Sequence, residues 1–374
     1  MRARWTALLG AAVVLLLTAC QLDLPAAISL GTPGPTAAAQ ARLLAPSQPP
    51  TATLVSTPAA TPTPTPVPVP KPSGPGLSVG LVDTTDLDLN RGPMAREGLQ
   101  RAAGEFNLET FAVTVPQKDL ANSAMRLAEA GYSVVVIASP YPDLAAFLAN
   151  RYPATKFVVF GPGIDKQPAN LVTLLYAEDQ AGYLAGALAA WLTQKNMIAF
   201  VGAEWTLEVV KFRKGYEHGA QAVDRRCIVL GNYIHSFSSP PKGWGEANAQ
   251  FNEGADVLFA VGGSTARGAM EAAAERNLPV IAAESDPYDI LPKVAPDLAS
   301  AALAHYDLGV YDALKAVVQG SFKGGTLTYD VTNGGIGLGP LRAWDSKLPP
   351  EAKKNLQDIL DGLRTGKVKT DVQT

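Results

Sequence analysis

The chain has 374 residues and a formal net charge of −3, with 31 Lys and Arg against 34 Asp and Glu. That near balance leaves no broad basic surface, which excludes nucleic acid and a purely electrostatic hold on an acidic membrane. Hydrophobic residues make up 47% of the chain, enough for buried cores, and the only cysteines are Cys20 and Cys227, too few for a disulfide framework.

Arg2 and Arg4 precede an apolar stretch over 7–19, and small residues then lead into Cys20. This order of charge, apolar core and small residues is a secretion signal. The apolar core is shorter than the roughly 20 residues that span a bilayer. Leu17-Thr18-Ala19-Cys20 resembles a bacterial lipobox, which implies cleavage after residue 19 and lipidation of the Cys20 thiol. The expectation is a signal peptide over 1–19 and a body held by its lipid on the outer face of the cell membrane. Residues 21–76 contain 14 of the 30 prolines, including the alternation Thr61-Pro62-Thr63-Pro64-Thr65-Pro66-Val67-Pro68-Val69-Pro70. Alternating proline removes amide donors and fixes φ, so 20–76 reads as an extended tether of about 3.1 Å per residue where it is polyproline-like.

Residues 77–374 read as alternating strands and helices. Short continuous apolar runs predict strands at 78–82, 133–137, 157–160, 171–175, 197–201, 228–233, 257–261 and 280–283. Amphipathic or Ala-rich segments predict helices at 94–105, 118–131, 143–150, 179–193, 207–223, 244–252 and 267–276. A helix at 306–319, a strand near 327–330 and a helix at 351–363 follow. Such alternation makes parallel sheets covered by helices, and two runs of it make two doubly wound α/β lobes. In open parallel sheets ligands sit beyond the carboxyl ends of the strands. That rule selects 83–92, 138–143, 202–206, 262–265 and 284–288, which carry Asp83, Asp86, Asp88, Arg91, Tyr141, Asp143, Glu204, Trp205, Glu284, Asp286 and Tyr288.

Chemistry is not expected. The run Asp83-Thr84-Thr85-Asp86-Leu87-Asp88 lacks the glycine turn and late glutamate of a calcium loop. His218, His235 and His305 have no metal-ligand spacing, and no nucleophile elbow or phosphate loop is present. The expectation is therefore no enzyme, no metal and no cofactor. Cys227, ahead of Ile228-Val229-Leu230, reads as a small buried residue.

Several segments carry a family likeness. They are Arg151-Tyr152-Pro153, Tyr176-Ala177-Glu178-Asp179-Gln180-Ala181-Gly182-Tyr183, Val209-Val210-Lys211-Phe212-Arg213-Lys214-Gly215-Tyr216-Glu217-His218-Gly219, Gly254-Ala255-Asp256 and Gly334-Gly335-Ile336-Gly337-Leu338. In order and spacing they resemble the basic membrane protein family, lipid-anchored substrate-binding proteins of ATP-driven nucleoside importers related to purine nucleoside receptors. The resemblance implies a type I periplasmic-binding fold whose two lobes are joined by a hinge and close over a small-molecule ligand. It places one lobe at about 77–178 plus 284–325 and the other at about 179–283 plus 326–374. It implies a nucleoside-like guest and the permease subunits of an ABC importer as partners. Asp88 stands at a family Asp, Arg91 where an aromatic ring is usual and Gly92 where an Asn is usual. Asp143 falls at a base-binding Asp, Phe212 at a second aromatic position, and Gly263 and Asp286 at ribose contacts, while Ala304 replaces a lysine. The missing ring is supplied by Arg91 lying flat on the base, or by Tyr141 or Trp205. The same fold also serves ligand sensors and surface interaction modules that feed no permease, and sequence does not separate these.

Overall fold

In a computed structural model, residues 68–84 and 91–372 are described. The signal peptide, Cys20, most of the tether, Asp86 and Asp88 lie outside the described residues. The described chain belongs to one unit, Thr65–Thr374. The end of the tether is already bound to it: Ser73 donates its N–H and Oγ to Glu109 at 2.8 and 3.0 Å.

The first half contains β1 (Ser78–Thr84), α1 (Arg91–Phe106), β2 (Glu109–Val115), α2 (Leu120–Glu129), β3 (Val134–Ile137), α3 (Pro142–Arg151), β4 (Lys156–Phe160) and β5 (Leu171–Tyr176). The second contains α4 (Glu178–Leu192), β6 (Met197–Gly202), α5 (Leu207–Val223), β7 (Ile228–Tyr233), α6 (Pro240–Glu253), β8 (Leu258–Val261), α7 (Gly263–Ala274), β9 (Val280–Glu284) and β10 (Leu298–Ala304). Then come α8 (Tyr306–Val318), β11 (Gly325–Tyr329), β12 (Ile336–Leu338) and α9 (Pro350–Arg364).

Two six-stranded sheets result, ordered β11-β5-β4-β3-β1-β2 and β12-β10-β9-β8-β6-β7. All pairings are parallel except β10 with the edge strand β12. The central strands are apolar throughout because helices cover both faces; β3 reads Val-Val-Val-Ile and every residue is buried. Each sheet has the doubly wound order in which direction reverses beside its first strand, between β1 and β3 in one and β6 and β8 in the other.

Three elements escaped the sequence reading: β2, β10 and β12. Missing β10 also displaced a lobe boundary. The expectation that residues from 284 onward return to the first lobe is corrected by the pairing of β10 with β9, which keeps 284–304 in the second sheet, and the expectation that 326 onward belongs to the second lobe by the pairing of β11 with β5, which keeps 325–329 in the first. The return follows Ala304, where α8 packs against α1. The chain therefore crosses between lobes three times, at Tyr176–Glu178, Ala304–Tyr306 and Tyr329–Ile336.

A tyrosine stands at each crossing. Tyr176 packs edge-on to Tyr306 at 4.8 Å and stacks with Tyr329 at 4.9 Å between ring centroids. The strands of the crossing are hydrogen-bonded to one another as well. The Tyr176 hydroxyl donates to the His305 carbonyl, the Ala177 N–H to the Tyr329 carbonyl and the His305 N–H to the Gly335 carbonyl, each at 2.9 Å.

The most extensive helix pairing is α4 against α5. It is a contact between backbones. A Cβ on Gly182 or Gly186 would enter the carbonyl oxygen of Phe212 or Tyr216, and one on Gly215 or Gly219 the carbonyl oxygen of Asp179 or Tyr183. Gly186→Ala is expected to force the helices apart and to destabilise the chain by about 1–3 kcal/mol. A urea melt measures this; an unchanged midpoint would show that the helices do not approach so closely.

Candidate functional site

A cavity of about 490 Å³ opens between the lobes. Its wall is made of residues at or just beyond strand ends: Thr84 ends β1, Pro140 and Tyr141 follow β3, and Pro162 follows β4. Glu204 follows β6, Phe237 follows β7, Gly262 and Gly263 follow β8, and Glu284 ends β9. Arg91 at the start of α1 and Glu208 in the first turn of α5 complete the charged lining. The reversal points of both sheets thus face one another across one space, where such sheets place their ligands.

Arg91 is the charged floor of this space. It is 7% exposed, and its guanidinium lies 4.9 Å from the centre of the Tyr306 ring and 5.6 Å from that of Phe160. A cation at a helix N-terminus opposes the helix dipole, so its neighbours must hold it there. Burial works against its charge, but Tyr306, Glu208 and Glu284 together raise its pKa above the ordinary arginine value. Nη2 of Arg91 donates to the Tyr306 hydroxyl at 3.4 Å, and that hydroxyl donates to Oε1 of Glu284 at 3.3 Å. Burial foremost, with Glu284 adding to it, pushes the Tyr306 hydroxyl well above its usual range, so it keeps its proton. The chain Arg91–Tyr306–Glu284 links the first lobe to the second through a crossing residue.

Glu284 adopts φ 69°, the left-handed region that costs a non-glycine residue about 1–3 kcal/mol and recurs at functional sites. At the start of α7, Gly262 and Gly263 have φ 99° and 54°, and a Cβ on Gly262 would sit 2.7 Å from the Cβ of Ala203. Only glycine lets the backbone line the cavity there.

The structure brings Arg91, Tyr141 and Gly263 to the cavity, together with Glu204 and Glu284. Four other expected contacts are elsewhere. Phe212 has no exposed surface; it lies against Phe259 at 6.0 Å on the face of α5 that meets α4. Trp205 is 70% exposed and stacks on Tyr233 at 5.6 Å, outside the cavity. Asp143 is exposed in the first turn of α3. Asp286 pairs with Arg342 and accepts the Tyr288 N–H, while Arg342 itself covers the Tyr288 ring at 3.7 Å. Asp88 lies outside the described residues. Asp83 is structural: Arg96 grips it with two bonds of 2.9 Å beneath Gly92. Arg91 is already packed against Tyr306 and Phe160.

Phe237, Glu208 and Gln117 line the cavity without having been expected. Phe237 and Gln117 stand beyond β7 and β2, where the strand-end rule also applies; β2 itself had gone unread. Among the described residues no group of acidic, histidine or cysteine side chains has metal-binding geometry. Cys227 is buried, and burial pushes its thiol up to about 11, as expected of an inert core residue.

Residues 79–368 match the model of the family described as ABC transporter substrate-binding protein, PnrA-like. The chain belongs to this family. Among PnrA-like and related proteins, the ABC transporter nucleoside-binding protein BmpA of Lactococcus lactis is 28% identical over 289 residues, covering 72% of this chain and 82% of that protein. Basic membrane protein A1 of Borrelia garinii is 25% identical over 198 residues, 52% of this chain and 59% of that one. The fold is shared with an ABC transporter solute-binding protein from Aeropyrum pernix at TM-score 0.70 and 20% identity, over 79% of this chain and 93% of the other. Among the described residues no helix is long and apolar enough to cross a membrane.

One contact at the first crossing is ionisable. Lys211 on α5 donates to the Tyr176 carbonyl and to Glu178, the first residue past the first crossing. Burial raises the Glu178 carboxyl from 4.5 to about 7, against the pull of Lys211. The folded chain therefore retains a proton that the unfolded chain releases, and this contribution to stability fades as pH climbs from about 4.5 to about 7. Wild type should lose stability relative to Glu178→Gln across that window in paired urea melts. A constant or rising difference would contradict a neutral, buried Glu178.

Proposed function

We propose that the chain is a lipid-anchored, extracytoplasmic solute-binding protein of an ABC importer, and that it holds a nucleoside in the cavity between its lobes. The observation that carries this reading is the division of the cavity wall. The first lobe contributes Tyr141, three prolines, Arg91 and Gln117, and the second contributes Phe237, Glu204, Glu208, Glu284 and the backbone of Gly262 and Gly263, so each lobe brings both a ring and polar groups. A base fits against the aromatic rings Tyr141 and Phe237, and sugar hydroxyls fit the polar groups between them. A guest touching both lobes binds the closed form better than the open one, which is the differential affinity that drives closure. The permease subunits then recognise the closed form, and no bond in the guest is made or broken.

The proposed contacts are Arg91, Tyr141, Gly263, Phe237, Glu204 and Glu284. The name of the Lactococcus lactis relative supports the ligand class, and the lipobox at Cys20 supports the anchor. Thermal melts against nucleosides, sugars and amino acids test the reading. Nucleosides are expected to raise Tm and the other classes are not. Tyr141→Ala is expected to weaken nucleoside binding by about 1–3 kcal/mol, the usual worth of a base-stacking ring. A Tm rise with sugars or amino acids and none with nucleosides would reject the ligand assignment.

A further inference from the structure

The loop after β7 is built on a fixed frame. The Ile234 N–H donates to the Gly202 carbonyl at 2.9 Å and the Ser236 N–H to the Ala203 carbonyl at 2.8 Å, which carries the pairing of β6 with β7 past the strand ends. Further along, the Phe237 carbonyl accepts the Thr265 N–H at 3.1 Å and the Ser264 hydroxyl at 3.3 Å, and the Thr265 hydroxyl donates to the Ser236 carbonyl at 2.6 Å. The loop is thus bonded to the end of β6 on one side and to the start of α7 on the other.

His235 stands between the two bonds to β6 in the left-handed region, at φ 56°. Such a conformation persists in a non-glycine residue where the surrounding structure imposes it. Nδ1 of His235 lies 3.1 Å from Oε1 of Glu204, and the Trp205 N–H reaches the same oxygen at 3.0 Å. A carboxylate accepts, so Nδ1 is the donor of this bond. Both bonds fall on one oxygen of a group that offers about four acceptor sites, which leaves capacity for a guest. Glu204 lines the cavity; His235 stands behind it, with its side chain 68% exposed. An exposed pair of this kind adds little to the stability of the fold. What it does is order a long acidic side chain at the cavity wall.

Resting on the nucleoside reading, we propose that His235 is a positioning residue: it holds the Glu204 carboxylate in the orientation in which that group accepts a sugar hydroxyl of the guest. A guest that binds a mobile glutamate must also arrest it, and that cost is subtracted from affinity. With His235 and the Trp205 N–H on Oε1, the ordering is done before the guest arrives. The same loop carries Phe237, so the ring and the acid's donor are set by one stretch of backbone.

Calorimetry on the full chain in detergent tests this with the tightest-binding of adenosine, guanosine, cytidine and uridine, together with its 2′-, 3′- and 5′-deoxy forms. At least one deoxy form is expected to bind wild type about tenfold more weakly than the parent nucleoside. His235→Gly suits the positive φ and removes the donor; it should weaken the parent about fivefold and shrink that difference. His235→Asn keeps a donor of similar reach and tolerates the same φ, so it should bind as wild type does. In a Glu204→Ala chain, His235→Gly should have no further effect. Unchanged binding by His235→Gly, no rescue by His235→Asn, an equal loss without Glu204, or no loss with any deoxy form would overturn the positioning role while leaving the nucleoside reading in place. No binding of any of the four nucleosides would overturn both.

Discussion

The fold depends on how its three interlobe crossings are held. Tyr176, Tyr306 and Tyr329 come from distant parts of the sequence, yet their rings pack together where the chain passes between lobes. Backbone hydrogen bonds tie the same three segments to one another. Three strands fixed in this way leave the lobes a limited relative motion, a hinge rather than a free joint. They also fix which ends of the two sheets face each other. Those are the carboxyl ends, where loops can differ without disturbing the cores, and the cavity follows from that placement.

The hinge and the cavity share residues. Tyr306 packs in the ring cluster, receives a hydrogen bond from Arg91 and gives one to Glu284. Glu208 contributes to the field at Arg91 on the cavity side and at Glu178 on the hinge side. A guest that changes the electrostatics of the cavity therefore acts on groups that also set the geometry of the crossing. The carboxylates, the buried guanidinium and the strained backbone of Glu284 are individually costly to keep in a folded chain. They are concentrated around one space, while the helices α4 and α5 pack through plain glycine and apolar contacts.

The sheets were legible because their central strands are written as unbroken apolar runs, such as Val134-Val135-Val136-Ile137 and Phe157-Val158-Val159-Phe160. The elements that were missed lack that signal for definite reasons. β2 is an edge strand and alternates in exposure. β10 is central but reads Leu-Ala-Ser-Ala-Ala-Leu-Ala, small residues that let α4 approach it. β12 is three residues with a glycine in the middle. The strand-end rule found Arg91, Tyr141, Glu204, Gly263 and Glu284 because it depends only on topology. The same rule also selected Asp143, Trp205 and Asp286, and residue matching to the family gave Asp143, Phe212 and Asp286; none of these lines the cavity, because the fold leaves Asp143 and Trp205 exposed, buries Phe212 and turns Asp286 toward Arg342. Orientation of that kind is set by tertiary packing and has no local sequence mark.

The central claim is that one guest bridges the two lobes inside the cavity at the carboxyl ends of both sheets. A crystal structure of the chain with a nucleoside shown to bind it tests this most directly. The account predicts the nucleoside between the lobes, with Tyr141 on one side and Glu284 on the other. A nucleoside seated on one lobe alone, or outside this space, would contradict it.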